Sequence, residues 1–380
     1  MLQYSFSEYA SRTRDMLRSI HASKPADIRE KIVYGNSPFE LSPPFGSNAG
    51  LNRKFKRGVL LTHGLSDSPY FMRHLGALFQ EKGFRVMAVL LPGHGTQPGD
   101  LLNVSWKEWA NEVAYGVEQL SHEVDEIYLA GFSAGGALSI YQSLVDARVK
   151  GLFLFSPALK ISRKAMLAKF HKLYSWLIPS GRWLDIKPDL DIFKYESFPK
   201  NAAAQMYALT REVNELLERR MVDIPVFVAA SADDATVDVS ATLAFAGSAG
   251  NPRNKIVLYI ANPNRIQSAV KSAAGSHYRV CIEFVNSVIP EMNIVSSSHA
   301  AIVLPPDDAH YGIDGDYTAC AHYYPRDIKR YSACVKYPQK CLLGEVTKSN
   351  LKLGLLRRLM YNPKFDELKS AIKSFIDSLP

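Results

Sequence analysis

The sequence has 380 residues, of which 47% are hydrophobic and 22% charged, a composition ordinary for a soluble globular protein with a sizeable core. No apolar run reaches the roughly 18 residues that a membrane-spanning helix needs, which argues against an integral membrane protein. The formal net charge of +8 comes from basic residues spread along the chain. Without a recognisable nucleic-acid-binding module, we predict no nucleic-acid partner.

The N-terminal stretch MLQYSFSEYASRTRDMLRSI does not read as a secretory signal peptide. It contains Glu8 and Asp15, and it has neither a continuous apolar stretch nor a small-residue cleavage site. We therefore expect a cytoplasmic protein. Apolar residues recur at helical spacing over residues 6–22, which predicts a docking helix, with a helix on a membrane surface as the alternative. Residues 37–52 are rich in Pro, Gly, Ser and Asn and predict an extended loop.

From residue 58 onward, strand-like and helix-like segments alternate. The predicted strands lie in GVLLTHG, FRVMAVLLPGHG, EIYLAGFSAGG and GLFLFSPAL, and the predicted helices in SPYFMRHLGALFQEKG, SWKEWANEVAYGVEQLSHE and GALSIYQSLVDA. In the first of these helices, Ser68 and Pro69 suit the N-terminus and Gly83 suits the end. Strands that alternate with helices predict an α/β fold in which a mostly parallel sheet is flanked by helices.

The alternation stops at about residue 161 and resumes with IPVFVAASADD. The interruption contains KFHKLYSWLIPSGRWL, which is helical in pattern and rich in large apolar residues, and it predicts a helical cap above the strand ends. Further strands are predicted in KIVLYIA and VCIEFV, and a final helix in PKFDELKSAIKSFIDSL. The expected organisation is a lead-in over 1–50, core over 51–160, cap over 161–222, and core with an elaborated C-terminal segment over 223–380.

The stretch GFSAGG places Ser133 between Gly131 and Gly135, after a predicted strand and before a predicted helix. This is the context of a nucleophile elbow, in which a sharp turn exposes a serine hydroxyl beside a helix N-terminus. A serine nucleophile needs a base and an orienting acid, which follow it in the order acid, then histidine, in such folds. SADDATV supplies adjacent carboxylates after a strand, and SSSHAAI supplies His299 further on.

These motifs resemble those of the α/β-hydrolases, in the group of monoacylglycerol lipases, carboxylesterases and related serine hydrolases. The matching pieces are LTHGLSDSPY, LLPGHG, GFSAGG, SADDATV and SSSHAAI, in that order. The resemblance implies an α/β-hydrolase fold with Ser133 as nucleophile, His299 as base and Asp234 as acid. It also implies an oxyanion hole made by the backbone N–H groups of Leu65 and Ala134.

Some assignments have competitors. Asp233 competes with Asp234 for the role of the acid, and His310 competes with His299 for that of the base. His63 and His94 precede the nucleophile in the chain, so we expect them to shape loops rather than to act as bases.

The implied function is hydrolysis of carboxylic esters with an apolar acyl group through an acyl-enzyme, without a cofactor. The same triad could instead cleave a thioester or an amide, as an aminopeptidase does, or pass the acyl group to an alcohol. From another class, a non-catalytic hydrolase-fold binding protein or a membrane-surface protein stays open. The expected partner is a small-molecule ester or lipid; a transient membrane-surface contact and the oligomeric state are left open.

The cysteines lie in the second half of the chain, at positions 281, 320, 334 and 341. We expect no disulfide framework in a chain this long without a signal peptide. The spacing matches no usual zinc pattern, so the expectation is packed or unpaired thiols and no metal.

Overall fold

The computed structural model describes residues 4–44, 54–161, 179–262 and 280–380. The chain folds as two compact units. The first unit comprises Met1–Leu154 and Lys160–Val222, and the second comprises Phe155–Leu159 and Asp223–Pro380. The division into lead-in, core and cap made from the sequence remains a prediction.

Helices and parallel strands alternate in the first unit. Its described helices are α1 (Phe6–Ile20), α2 (Ala26–Asn36), α3 (Arg73–Glu81), α4 (Trp106–Glu123), α5 (Ala134–Val145) and α6 (Lys200–Leu217). Its described strands are β1 (Phe39–Leu41), β2 (Phe55–Thr62), β3 (Arg85–Val89), β4 (Val124–Phe132), β5 (Val149–Phe155, reaching the second unit at its last residue), β6 (Trp183–Asp185) and β7 (Phe198–Pro199). The sheet runs in the order β1-β3-β2-β4-β5, with β2 parallel to β3 and β4 and with β1 antiparallel to β3.

The strands predicted between residues 58 and 155 are confirmed. Val59, Leu60 and Leu61 of β2 are fully buried, as expected of a strand covered on both faces. Helix α4 packs on β2 and β3 and begins with a capping box, in which Ser105 and Glu108 bond each other's backbone N–H groups. The predicted helix at Ser68 starts instead as a 3₁₀ turn, Pro69–Met72, that leads into α3.

The N-terminal region contains more structure than its sequence indicated. Helix α1 is confirmed, and it packs Leu17 against Val33 and Leu90, as expected of a docking helix. Helix α2 was not predicted. The loop expected over 37–52 contains β1, because three residues there pair with β3 at the edge of the sheet.

The cap predicted over 161–222 is only partly described. Residues 162–178, which hold most of KFHKLYSWLIPSGRWL, lie outside the described residues. The described part contains helix α6 and the short antiparallel pair of β6 and β7, so it is not helical throughout.

The second unit has its own parallel strands. They are β8 (Val226–Ser231), β9 (Lys255–Ile260) and β10 (Cys281–Asn286), in the order β8-β9-β10, with a separate parallel pair of β11 (Leu342–Gly344) and β12 (Leu356–Arg358). The described helices are α7 (Val239–Ser248), α8 (Ile328–Lys336), α9 (Asn350–Leu353) and α10 (Phe365–Asp377). The final predicted helix is confirmed as α10, which packs on β8 and β9.

The cysteine expectation was wrong for one pair. Cys320 and Cys334 form a disulfide, whereas Cys281 and Cys341 are free thiols. The start of a 3₁₀ turn at Ala321–Tyr323 and helix α8 bring the two Cα atoms to 6.0 Å, a separation that a disulfide spans. Spacing along the chain does not reveal this approach.

Two absences apply to the part of the chain that the structure describes. No cluster of His, Cys, Asp and Glu there could hold a metal ion. None of the helices described there is both long enough and apolar enough to cross a membrane.

Candidate active site

Ser133 lies at the sharp turn between β4 and α5. Its backbone has φ 54° and ψ −113°, outside the regions that residues with side chains ordinarily adopt. Such strain persists only where the surrounding structure enforces it, and it is concentrated at functional sites. The residue occupies the N-cap position of α5, where backbone N–H groups and the helix dipole favour negative charge.

The glycines on either side of Ser133 allow the turn to approach other backbone closely. A Cβ atom on Gly131 would lie 2.2 Å from the carbonyl oxygen of Gly135. A Cβ atom on Gly135 would lie 2.1 Å from the carbonyl oxygen of Thr62, at the end of β2. Both distances are shorter than any real contact, so Gly131 is required by the turn's own backbone and Gly135 by packing against the end of β2.

The loop after β2 holds a peptide group in a fixed orientation near Ser133. The N–H of Leu91 donates to His63 Nε2 at 3.0 Å, so the ring proton sits on Nδ1, which donates to the Gly64 carbonyl at 2.8 Å. Because the peptide is trans, the N–H of Leu65 points away from that carbonyl. A Cβ atom on Gly64 would lie 3.2 Å from the Cβ of Ser133, so this loop packs directly against the turn.

His63 stays neutral in this position. Burial, and then the neighbouring His94 and Lys194, hold the pKa of His63 well below its usual value. A neutral ring is what its two bonds require, since one nitrogen donates and the other accepts.

His94 also supports a loop. Its Nδ1 lies 3.2 Å from the Leu91 carbonyl oxygen and 3.1 Å from that of Pro92, and burial lowers the pKa of His94 to about 4. The ring packs edge-on to His63 with the centroids 5.0 Å apart. These contacts agree with the expectation that both histidines shape loops.

A second set of contacts, missed in the sequence, holds the same loop from outside. Asp67, which is buried, pairs with the ammonium group of Lys194, and this group also donates to the Ser66 hydroxyl at 3.2 Å. The N–H of Tyr195 donates to the Ser66 carbonyl at 2.8 Å. A Cβ atom on Gly64 would lie 2.2 Å from Asp67 Oδ2, so the carboxylate packs against the same peptide. The only sequence signal was the polar stretch SDS, which follows His-Gly-Leu.

In the second unit, Asp234 and His299 form a close pair. Asp234 Oδ2 lies 2.6 Å from His299 Nδ1, and the Asp234 side chain is 1% exposed. The other carboxylate oxygen accepts the N–H groups of Thr236 and Val237, at 2.7 and 3.0 Å. A carboxylate held in this way fixes the orientation of the imidazole ring, with Nδ1 toward Asp234 and Nε2 on the opposite side of the ring.

The neighbouring carboxylate has different partners. Asp233 Oδ2 accepts the N–H of Ala261 at 2.9 Å and lies 3.5 Å from the hydroxyl of Ser287. It therefore supports the ends of β9 and β10, while Asp234 faces His299. His310, the other candidate base, stacks on Tyr317 with ring centroids 5.6 Å apart.

Parallel strands flanked by helices, with a serine at a sharp turn from strand to helix, define the α/β-hydrolase fold expected from the sequence. A family model described as serine aminopeptidase, S33, matches residues 53–261. Since this covers more than half of the chain, the protein belongs to that hydrolase family.

Individual relatives match over shorter stretches. The chain is 28% identical to a thermostable monoacylglycerol lipase of Bacillus sp. (strain H-257) over 173 residues, 45% of this chain and 68% of the relative. It is 24% identical to a carboxylesterase of Bacillus subtilis (strain 168) over 186 residues, 47% of this chain and 72% of the relative. A solved structure from a study of LipS and LipT, two metagenome-derived lipolytic enzymes, is 22% identical with a TM-score of 0.49, covering 59% of this chain and 87% of that one.

Proposed function

We propose that this protein is a serine hydrolase that cleaves carboxylic esters with Ser133, His299 and Asp234. The observation that carries the proposal is the 2.6 Å contact between Asp234 Oδ2 and His299 Nδ1. An aspartate that bonds Nδ1 of a histidine is how serine hydrolases orient their base. The strained turn at Ser133 supports the same reading, and the three residues follow in the order of α/β-hydrolase triads.

In the proposed reaction, Ser133 Oγ attacks the ester carbonyl carbon while His299 Nε2 takes the hydroxyl proton. Asp234 stabilises the resulting imidazolium. The N–H groups of Leu65 and Ala134 bind the oxyanion, and each such donor contributes roughly 3–4 kcal/mol of transition-state stabilisation. His299 then gives its proton to the departing alkoxide, which leaves as the alcohol, and Ser133 carries the acyl group.

The second half of the proposed reaction releases the acid. His299 accepts a proton from water, which attacks the acyl ester, and the proton returns to Ser133 as the carboxylic acid departs. The chemistry uses only groups of this chain and needs no cofactor.

The relatives favour an ester as the substrate, because two of them are named a monoacylglycerol lipase and a carboxylesterase. The family description, serine aminopeptidase, supports an aminoacyl amide as the second candidate. The same residues would cleave either bond, so the leaving group is the point on which the two candidates differ.

A fluorophosphonate probe tests the nucleophile. The wild-type protein should be labelled and Ser133→Ala should not. Labelling of Ser133→Ala to the wild-type extent would refute the assignment of Ser133. A panel of p-nitrophenyl esters of rising chain length, monoacylglycerols, a thioester and an aminoacyl amide then identifies the substrate class. Ester turnover that exceeds amide turnover is the expected result, and the reverse would favour the aminopeptidase.

The adjacent carboxylates provide a matched pair for the acid. Asp234→Asn should lower kcat on the order of 10⁴-fold, because it disturbs the tautomer and charge of His299. Asp233→Asn should have a much smaller effect, since its carboxylate bonds Ala261 and Ser287. Equal losses in the two variants would contradict the assignment of Asp234.

A further inference from the structure

The segment after His299 is attached to the loop that carries this histidine. The N–H of Val295 donates to the Leu343 carbonyl at 2.8 Å, and the N–H of Leu343 donates to the Asn293 carbonyl at 2.8 Å. Further along, the hydroxyl of Ser298 bonds the Leu359 carbonyl. Ile294 of the loop and Leu343 of β11 therefore form a parallel bridge, and Ser298 bonds the residue directly after β12.

Glu345, directly after β11, connects this segment to His299 itself. The N–H of His299 donates to Glu345 Oε2 at 2.9 Å. The other oxygen, Oε1, accepts the N–H of Val346 at 2.7 Å and lies 3.3 Å from Arg358 Nη2. The Glu345 side chain is 0% exposed, so a carboxylate with several partners is buried at the backbone of the histidine.

The main chain around Glu345 is fixed as well. Its N–H donates to the hydroxyl of Ser296 at 3.0 Å, and Asn350 Nδ2 donates both to that hydroxyl and to the Glu345 carbonyl. A buried carboxylate is tolerated only when its charge and its oxygens are satisfied. These bonds satisfy it, and together they hold the carboxylate against the 296–299 backbone.

We propose that Glu345 is a positioning residue for His299, an inference that rests on the proposed function. Glu345 holds the backbone of the histidine, while Asp234 holds its ring. A general base works only within hydrogen-bond reach of the proton it takes, and a displacement of about 1 Å can lower a rate by about 100-fold. The C-terminal segment thus supplies the carboxylate that fixes the main chain of the base.

Substitutions at Glu345 test this role. Glu345→Ala removes the acceptor. Glu345→Asp keeps the charge beside Arg358 but is one methylene too short to reach the His299 N–H. Glu345→Gln keeps an acceptor oxygen of the original length. The matched control is Tyr323→Phe, which removes the bond from the Leu356 N–H to the Tyr323 hydroxyl in the same segment without touching Glu345 or residues 296–299.

The expected result separates positioning from stability. Glu345→Ala and Glu345→Asp should lower kcat by about 100-fold with little change in KM, and should slow fluorophosphonate labelling equally. The kcat of Glu345→Gln should be about 10-fold or more above that of Glu345→Ala and Glu345→Asp. Tyr323→Phe should lower Tm with kcat unchanged. If Glu345→Ala does not fold, the kcat of Glu345→Asp decides whether Glu345 positions His299.

A spectroscopic readout keeps this test separate from the test of function. The Nδ1 proton of His299, held by Asp234, should give a low-field proton NMR resonance. The resonance should be lost or exchange-broadened in Glu345→Asp and retained in Glu345→Gln and Tyr323→Phe. An unchanged resonance in Glu345→Asp, with kcat as in Tyr323→Phe, would overturn the inference. An inactive wild type with the expected resonance pattern would overturn only the proposed function.

Discussion

His94 should make the protein lose stability as the pH falls below about 6.5. Its ring is buried against the Leu91 and Pro92 carbonyls, and burial lowers the pKa of His94 from 6.5 to about 4. Above pH 6.5 the ring is neutral in both the folded and the unfolded chain. Between pH 6.5 and 4 only the unfolded chain binds the proton, so folding becomes less favourable, and below pH 4 the loss levels off.

The magnitude follows from the difference between the two pKa values. One pKa unit corresponds to about 1.4 kcal/mol, so His94 can remove about 3 kcal/mol in total and about 2.5 kcal/mol by pH 4.5. His63 acts in the same direction, because burial and the neighbouring His94 also hold its pKa below 6.5. The wild-type loss should therefore be at least as large as that from His94 alone.

Urea unfolding at pH steps from 7.5 to 4.5 measures the effect. His94→Asn places an amide nitrogen near the position of Nδ1, and asparagine does not titrate. The stability of this variant should therefore fall less steeply with decreasing pH than that of the wild type. The difference between the free energies of unfolding of the wild type and His94→Asn should change by about 2.5 kcal/mol over this pH range. The exposed His122→Asn on α4 is the control and should follow the wild type. Parallel curves for wild type and His94→Asn would refute the reasoning.

Three further substitutions test packing, capping and charge. Gly135→Ala should prevent folding of the elbow, because its Cβ would lie 2.1 Å from backbone, whereas a Cβ at Gly99 would enter open space. Thermal unfolding compares Gly135→Ala with the control Gly99→Ala, and equal Tm values would contradict the close approach. Ser105→Ala removes the capping box of α4 and should cost about 1 kcal/mol in urea unfolding, so an unchanged midpoint would show that the cap contributes nothing. Lys194→Met leaves the buried Asp67 carboxylate without its lysine and should cost about 3–5 kcal/mol; added Asp67→Asn should recover most of this, and no recovery would mean that the charge was not the cause.

The sequence predicted the sheet strands well because their signal is local. Buried parallel strands read as continuous apolar runs, and the helices between them have helical periodicity. Strand β1 was missed because it is three residues long and depends on pairing with β3. The disulfide between Cys320 and Cys334 was missed because its formation depends on how a turn and α8 pack.

At the site, the two adjacent carboxylates show what the sequence alone does not predict. Asp233 and Asp234 have the same chemistry and neighbouring positions, so the preference for Asp234 came from resemblance alone. In the structure, the Asp234 side chain reaches His299, while that of Asp233 reaches the N–H of Ala261. Which way each side chain points depends on how the chain leaves β8, and a residue pattern does not contain that information.

The sequence by itself determined the fold class and the turn that carries Ser133. Apolar runs, helical periodicity and the glycines at 131 and 135 are short-range properties, since each depends only on residues that are close together in the sequence. Only the tertiary structure decided the partners of buried charges, such as Glu345 with the His299 backbone and Lys194 with Asp67. The physical reason is that hydrogen bonds and desolvation depend on distance in space, and these partners are 46 and 127 residues apart in the chain.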